Sequence, residues 1–95
     1  MIEKIVKLNL KLGLHARPSS YLVIRLTPLK LDKALLTYKN KTADLRSILS
    51  ILTLFIEPGS DVQVTLSGPD EEQALKIIED IFNEKDNGEI YDKKR

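Results

Sequence analysis

One histidine stands in this 95-residue chain, His15, inside the stretch Gly13-Leu14-His15-Ala16-Arg17-Pro18-Ser19-Ser20. Imidazole as a side chain titrates near neutrality, so much of it is the neutral nucleophile at physiological pH. A phosphorylated imidazole is also a good leaving group, so one ring can take a phosphoryl group and pass it on. That is the chemistry of a carrier rather than of a hydrolase. Arg17 brings a planar, always-charged fork that matches phosphate oxygens. With one histidine and no cysteine, a metal site is not expected, and no cofactor is expected either.

The elements around the histidine are readable from periodicity. Leu22, Val23 and Leu26 share one helical face, which predicts a helix over Ala16 to Thr27. Pro18 suits its first turn, where a missing N–H goes unused, and Pro28 makes continuation unfavourable. His15 then falls at the N-cap, with first-turn amides, those of Ala16 and Arg17, at the mouth of the helix. A helix N-terminus offers N–H donors and partial positive charge and so suits an anion. Ser19 is tolerated in a first turn, although its hydroxyl competes for the local amides. Tyr21 reads as a partly buried spacer.

Before this helix, Val6, Leu8 and Leu10 alternate with Lys7, Asn9 and Lys11, which predicts a strand with one buried face, ended by Gly13. After it, Leu29 to Lys33 bridges to a second strand in which Ala34, Leu36 and Tyr38 alternate with Leu35, Thr37 and Lys39. Lys39-Asn40-Lys41 is a turn candidate, since asparagine tolerates positive φ, and Thr42 to Leu45 completes a hairpin. Ser47 is a plausible N-cap for the apolar run from Ile48 to Phe55. So apolar a helix should pack one side on the sheet and leave the other as an exposed patch near His15, and burial is expected first for Ile48, Ile51 and Leu52. Glu57-Pro58-Gly59-Ser60 is a turn, and Asp61 to Ser67 is the cleanest strand, with Val62, Val64 and Leu66 inward. Gly68 and Pro69 open the last helix, with Asp70, Glu71 and Glu72 in its first turn. Its buried face holds Ala74, Ile77, Ile78 and Ile81, with Leu75 and Phe82 at the margins. The order β-α-β-β-α-β-α indicates an α+β domain over residues 1–84. A charged flexible C-terminal tail is expected over 85–95.

Length suits one modest core. The absence of cysteine fits a reducing compartment, and no apolar run reaches the length of a membrane span, so a cytoplasmic protein without membrane insertion is expected. The net charge of +1 hides an asymmetry: residues 1–47 hold ten Lys/Arg against three Asp/Glu, and residues 48–95 hold five against eleven. Two readings stay open: a solvated surface of mixed sign, or a basic half around His15 that steers acidic partners toward it. Nucleic-acid binding is not expected, because the five aromatics are scattered rather than interleaved with the basic residues.

Gly13-Leu14-His15-Ala16-Arg17-Pro18 resembles the active-site motif of the HPr family, the histidine-containing phosphocarriers of the bacterial phosphoenolpyruvate:sugar phosphotransferase system. Leu45-Arg46-Ser47-Ile48-Leu49 and Gly68-Pro69-Asp70-Glu71-Glu72 extend the similarity, which covers residues 2 to 84. One extra residue lies between the first helix and the second strand. The resemblance implies an HPr-like open-faced β-sandwich, a four-stranded antiparallel sheet with three helices on one face. It implies that His15 accepts a phosphoryl group from enzyme I and donates it to enzyme IIA proteins, with Arg17 and the Ala16 and Arg17 amides holding the phosphate. It implies that Ser47 takes a regulatory phosphate from an HPr kinase/phosphorylase. It also implies a shared partner surface, for which Ser20, Arg46, Ile48, Leu49 and Leu52 are candidates, on a protein that acts as a monomer and is not an enzyme in its own right. Departures are Ser19 where the family usually has alanine, Ser50 and Phe55 where it often has glycine, and the absence of Asn-Gly in the hairpin turn. Two alternatives remain open. Lys11-Leu12-Gly13-Leu14 and the Gly68 to Glu72 run are similar to nitrogen-branch regulatory carriers, and a non-phosphorylated binding module would use His15 only as a cap.

Overall fold

A computed structural model describes residues 1–83. The expected tail, 85–95, and residue 84 at the end of the expected domain lie outside the described residues. The elements run β1 (Ile2–Lys7), α1 (Ala16–Leu26), β2 (Lys33–Tyr38), β3 (Lys41–Asp44), α2 (Ile48–Leu52), β4 (Asp61–Ser67) and α3 (Glu71–Phe82). The four strands form one antiparallel sheet in the order β1-β4-β2-β3. This is the α+β sheet-and-three-helices architecture that the resemblance implied.

Register explains which face is covered. Val6 pairs with Val62, Leu36 with both Val64 and Ala43, and Ala34 with Leu66. Paired residues point the same way and alternate residues point apart, so these form one apolar face, and all are buried. Ile77, Ile78, Ile81 and Phe82 of α3, Leu22 and Leu26 of α1, and Ile51 of α2 belong to the same core. The opposite face carries Thr37 and Thr42, register partners toward the β3 edge with hydroxyls 3.0 Å apart.

Several boundaries differ from the periodic reading, each for a local reason. The first strand lies earlier than expected. Leu8 and Leu10 are buried as the alternation predicts, but the ladder with β4 ends at Lys7. Beyond it Leu8 N–H donates to the Ser60 carbonyl and Asn9 N–H to that of Phe82. Residues 2–5 were missed because Ile5 faces solvent on the open side. The last helix begins at Glu71 rather than at Gly68. The Asp70 carboxylate accepts from the Lys30 backbone N–H at 2.7 Å instead of capping α3. Gly68 at φ 135° lies so close to the 30–31 backbone that a Cβ would fall 2.7 Å from the Lys30 oxygen. Phe82 is not marginal but fully buried. The hairpin turn is two residues, Lys39 and Asn40, at φ 50° and 66°, the mirror-image turn that suits strand twist.

Candidate functional site

The loop that carries His15 is built from the glycine outward. Gly13 has φ 75° and its N–H donates to the Leu10 carbonyl. A Cβ there would stand 2.6 Å from the Ile56 carbonyl oxygen and 3.3 Å from Pro58, so both the backbone angle and the space require glycine. Leu14 follows, buried, its N–H donating to that same Ile56 carbonyl at 3.1 Å. The 56–58 segment is therefore a seat on which the histidine loop rests.

His15 occupies the N-cap of α1 with φ −90° and ψ −167°, and its side chain makes no capping hydrogen bond. The ring is half-buried, and Ala16 and Arg17 are exposed. The His15 carbonyl accepts the Ser19 N–H at 3.1 Å, closing the first helical turn. Pro18 has no N–H, so the amides of the first turn are those of Ala16 and Arg17. The structure thus brings His15, Ala16 and Arg17 to one helix mouth. Such a mouth binds anions through N–H donors and the dipole together, and Arg17, an exposed cation, belongs to its first turn. Ser19 does not compete for these amides: its hydroxyl is fully buried and has no hydrogen-bond partner among the described residues. Tyr21 is buried rather than exposed, with the Arg25 guanidinium 5.7 Å from its ring centre.

Ser47 caps α2, its hydroxyl accepting from Ser50 N–H at 3.3 Å. Ser50 Oγ in turn accepts from Asp44 N–H at 3.1 Å, so this serine closes the strand-to-helix corner. Arg46 is held by Asp44 and by the Leu31 carbonyl, to which it donates at 3.0 Å. α1 packs against α2, which places the other candidates on neighbouring elements. Leu49 is 77% exposed and Ile48 37% exposed, while Leu52 and Ser20 are half-buried. Core burial for Ile48 and Leu52 was therefore overestimated. α2 has only five residues, one and a half turns, and its inward direction is filled by Ile51. The sequence reading missed three things: the Ile56 seat, the full exposure of Phe55 at 78% with φ 49°, and Leu12, 76% exposed beside Gly13. Pro58-Gly59 marked a turn there, but nothing in the sequence tied that turn to residues 13 and 14.

The family described as "PTS HPr component phosphorylation site" matches residues 2–84. The chain belongs to the HPr family. Phosphocarrier protein HPr of Lysinibacillus sphaericus is 37% identical over 73 residues, 77% of this chain and 82% of that protein. Phosphocarrier protein NPr of Escherichia coli (strain K12) is 29% identical over 82 residues, 86% of this chain and 91% of that one. Solved HPr-C-His from Thermoanaerobacter tengcongensis has a TM-score of 0.81 at 30% identity, covering 90% of this chain and 94% of that chain. A solved HPr dimer from the same organism gives 0.67 at 30%, covering 90% and 97%. An HPr-family chain of this kind is a phosphocarrier of the phosphotransferase system, of HPr or NPr type, rather than an enzyme with its own turnover. Membership implies enzyme I and enzyme IIA proteins as partners. Among the described residues no helix is long and apolar enough to cross a membrane.

Proposed function

We propose that His15 is the phosphoryl acceptor of this carrier, taking the group from enzyme I and giving it to an enzyme IIA protein in the cytoplasm. One observation carries the reading: the ring stands at the mouth of α1 and is not engaged in capping it. An imidazole nitrogen attacks phosphorus, the N–P bond forms, and the bond to enzyme I breaks. The first-turn amides of Ala16 and Arg17, with the Arg17 guanidinium, then neutralise the phosphoryl oxygens. Incubation with phosphoenolpyruvate and a competent enzyme I should give acid-labile label on the wild type and none on His15→Ala. Label on that variant, or none on the wild type, overturns the assignment.

Ser47 is the second phosphorylation position in this reading. Its hydroxyl lies on the corner between β3 and α2, between Arg46 and the exposed Ile48 and Leu49, so a phosphate there would add charge amid an apolar docking face. ATP with an HPr kinase/phosphorylase should give acid-stable phosphoserine, absent from Ser47→Ala. Ser20, Arg46, Ile48, Leu49 and Leu52 form the docking face for enzyme I and enzyme IIA, and the carrier acts as a monomer; sedimentation at working concentration tests the latter against the dimer described for HPr of Thermoanaerobacter tengcongensis. A nitrogen-branch regulatory carrier is the alternative reading, supported by the NPr match at 29% identity beside the HPr match at 37%. Comparing phosphoryl uptake from the enzyme I proteins of the two branches separates the two.

A further inference from the structure

Phe55 is the residue that the fold explains least. It follows α2, where its N–H still donates to the Leu52 carbonyl at 3.3 Å, and its backbone sits at φ 49°. That is the left-handed region, which glycine enters freely and a bulky side chain enters at a cost. Burial does not offset that cost. The ring is 78% exposed and belongs neither to the core nor to the partly buried residues packed on it. Backbone strain of this kind collects at active sites, ligand clamps and switches.

Its neighbours place it beside the histidine loop. Ile56, the next residue, supplies the carbonyl that accepts Leu14 N–H at 3.1 Å and that would stand 2.6 Å from a Cβ at Gly13. The 56–58 and 13–14 segments therefore lie against each other, with exposed Leu12 next in sequence on one and Phe55 on the other. Among the described residues seven large apolar side chains are exposed. Five of them, Leu12, Ile24, Ile48, Leu49 and Phe55, belong to α1, α2 or the loops that adjoin them, and Met1 and Ile5 lie at the β1 end of the sheet. α1 packs on α2, so this surface is gathered around the helix mouth that carries His15. Exposed apolar side chains gathered in one place mark a contact surface, whereas single scattered ones do not.

We propose that Phe55 is a specificity-determining anchor for enzyme I: its ring enters an apolar pocket that enzyme I carries beside the phosphoryl group it delivers, with Leu12 packing at the pocket's edge. A few aromatic anchors, ringed by contacts that exclude water, carry most of the binding energy of an interface. A surface meant for several partners is built from side chains that can repack. Phe55 is the opposite, an aromatic fixed on a constrained backbone. It suits the one protein that delivers the phosphoryl group rather than the several enzyme IIA proteins that receive it. Exposed Lys11 and Arg17 outnumber exposed Glu57 in these segments, which suits a pocket bordered by carboxylates. The inference rests on His15 as the phosphoryl acceptor for the partner's identity, but the binding can be read with both proteins unphosphorylated.

The test is the Kd of the whole protein for its own enzyme I, both unphosphorylated, beside phosphoryl uptake. Phe55→Gly, which relieves the backbone, should bind enzyme I roughly ten- to thirtyfold more weakly. Its uptake at limiting enzyme I should fall by the same factor, with the rate at saturation unchanged. Leu12→Ser should lose about threefold. Phe55→Leu, which keeps an apolar side chain on the same backbone, should recover most of the affinity. Ile5→Ser, at an exposed apolar position on β1, should bind as the wild type does. Affinity for an enzyme IIA protein should change by no more than about twofold in Phe55→Gly. Wild-type affinity of Phe55→Gly for enzyme I, or a loss toward enzyme IIA as large as that toward enzyme I, overturns the proposal. If the wild type binds enzyme I but takes up no label, His15 as acceptor fails, while the affinities still decide the anchor.

Discussion

Around His15 the chain spends its unusual residues on geometry. Gly13 is required twice over, by φ 75° and by the Ile56 oxygen 2.6 Å from where its Cβ would be. Gly13→Ala should lose about 2 kcal/mol or more, the left-handed cost plus the displacement of backbone, seen as a lower urea midpoint together with slower phosphoryl uptake. Ser19 is the reverse case. It buries a hydroxyl with no partner among the described residues, where alanine would lose nothing. Ser19→Ala should gain about 1 kcal/mol, which for a domain this size is a rise in Tm of roughly 4–8 °C. His15 and Arg17 were legible as a pair, because a lone histidine beside Arg-Pro at a helix start is chemically suggestive without coordinates. Tyr38 was legible only as an inward strand residue, since Ser60, whose hydroxyl lies 3.1 Å from its own, comes after two intervening elements.

At the scale of elements, long regular patterns were readable and short ones were not. Asp61–Ser67 matches its predicted bounds because strict alternation in a central strand leaves no other register. The first strand slipped because its edge position lets Ile5 face water and breaks the alternation. α2 has the weakest pattern, and there the sequence overfilled the core. Its cap is real: Ser47→Ala should cost about 1 kcal/mol, measurable by denaturant unfolding. The chain leaving α2 turns through Phe55 at φ 49°, an exposed aromatic in the left-handed region. Phe55→Gly should gain about 1 kcal/mol of stability by relieving that backbone. Raised thermal stability checks it, and an unchanged or lowered Tm would mean that Phe55 packs on something the fold supplies.

For the whole molecule, charge and assembly are the relevant properties. The basic first half holds His15 and the acidic residues gather in the second, so encounter with an acidic partner should be steered. Phosphoryl uptake at limiting enzyme I should therefore fall roughly tenfold between about 0.05 and 0.5 M salt, with little change in the rate at saturation. The net charge alone would have hidden this, and only its distribution along the sequence made it visible. The seat beneath the histidine was not visible, because it joins segments far apart in sequence. That separation has a biological corollary. A polypeptide still emerging from the ribosome carries its imidazole long before it carries residues 56–58, so with His15 as the proposed acceptor a chain truncated before residue 56 should take up no label from enzyme I.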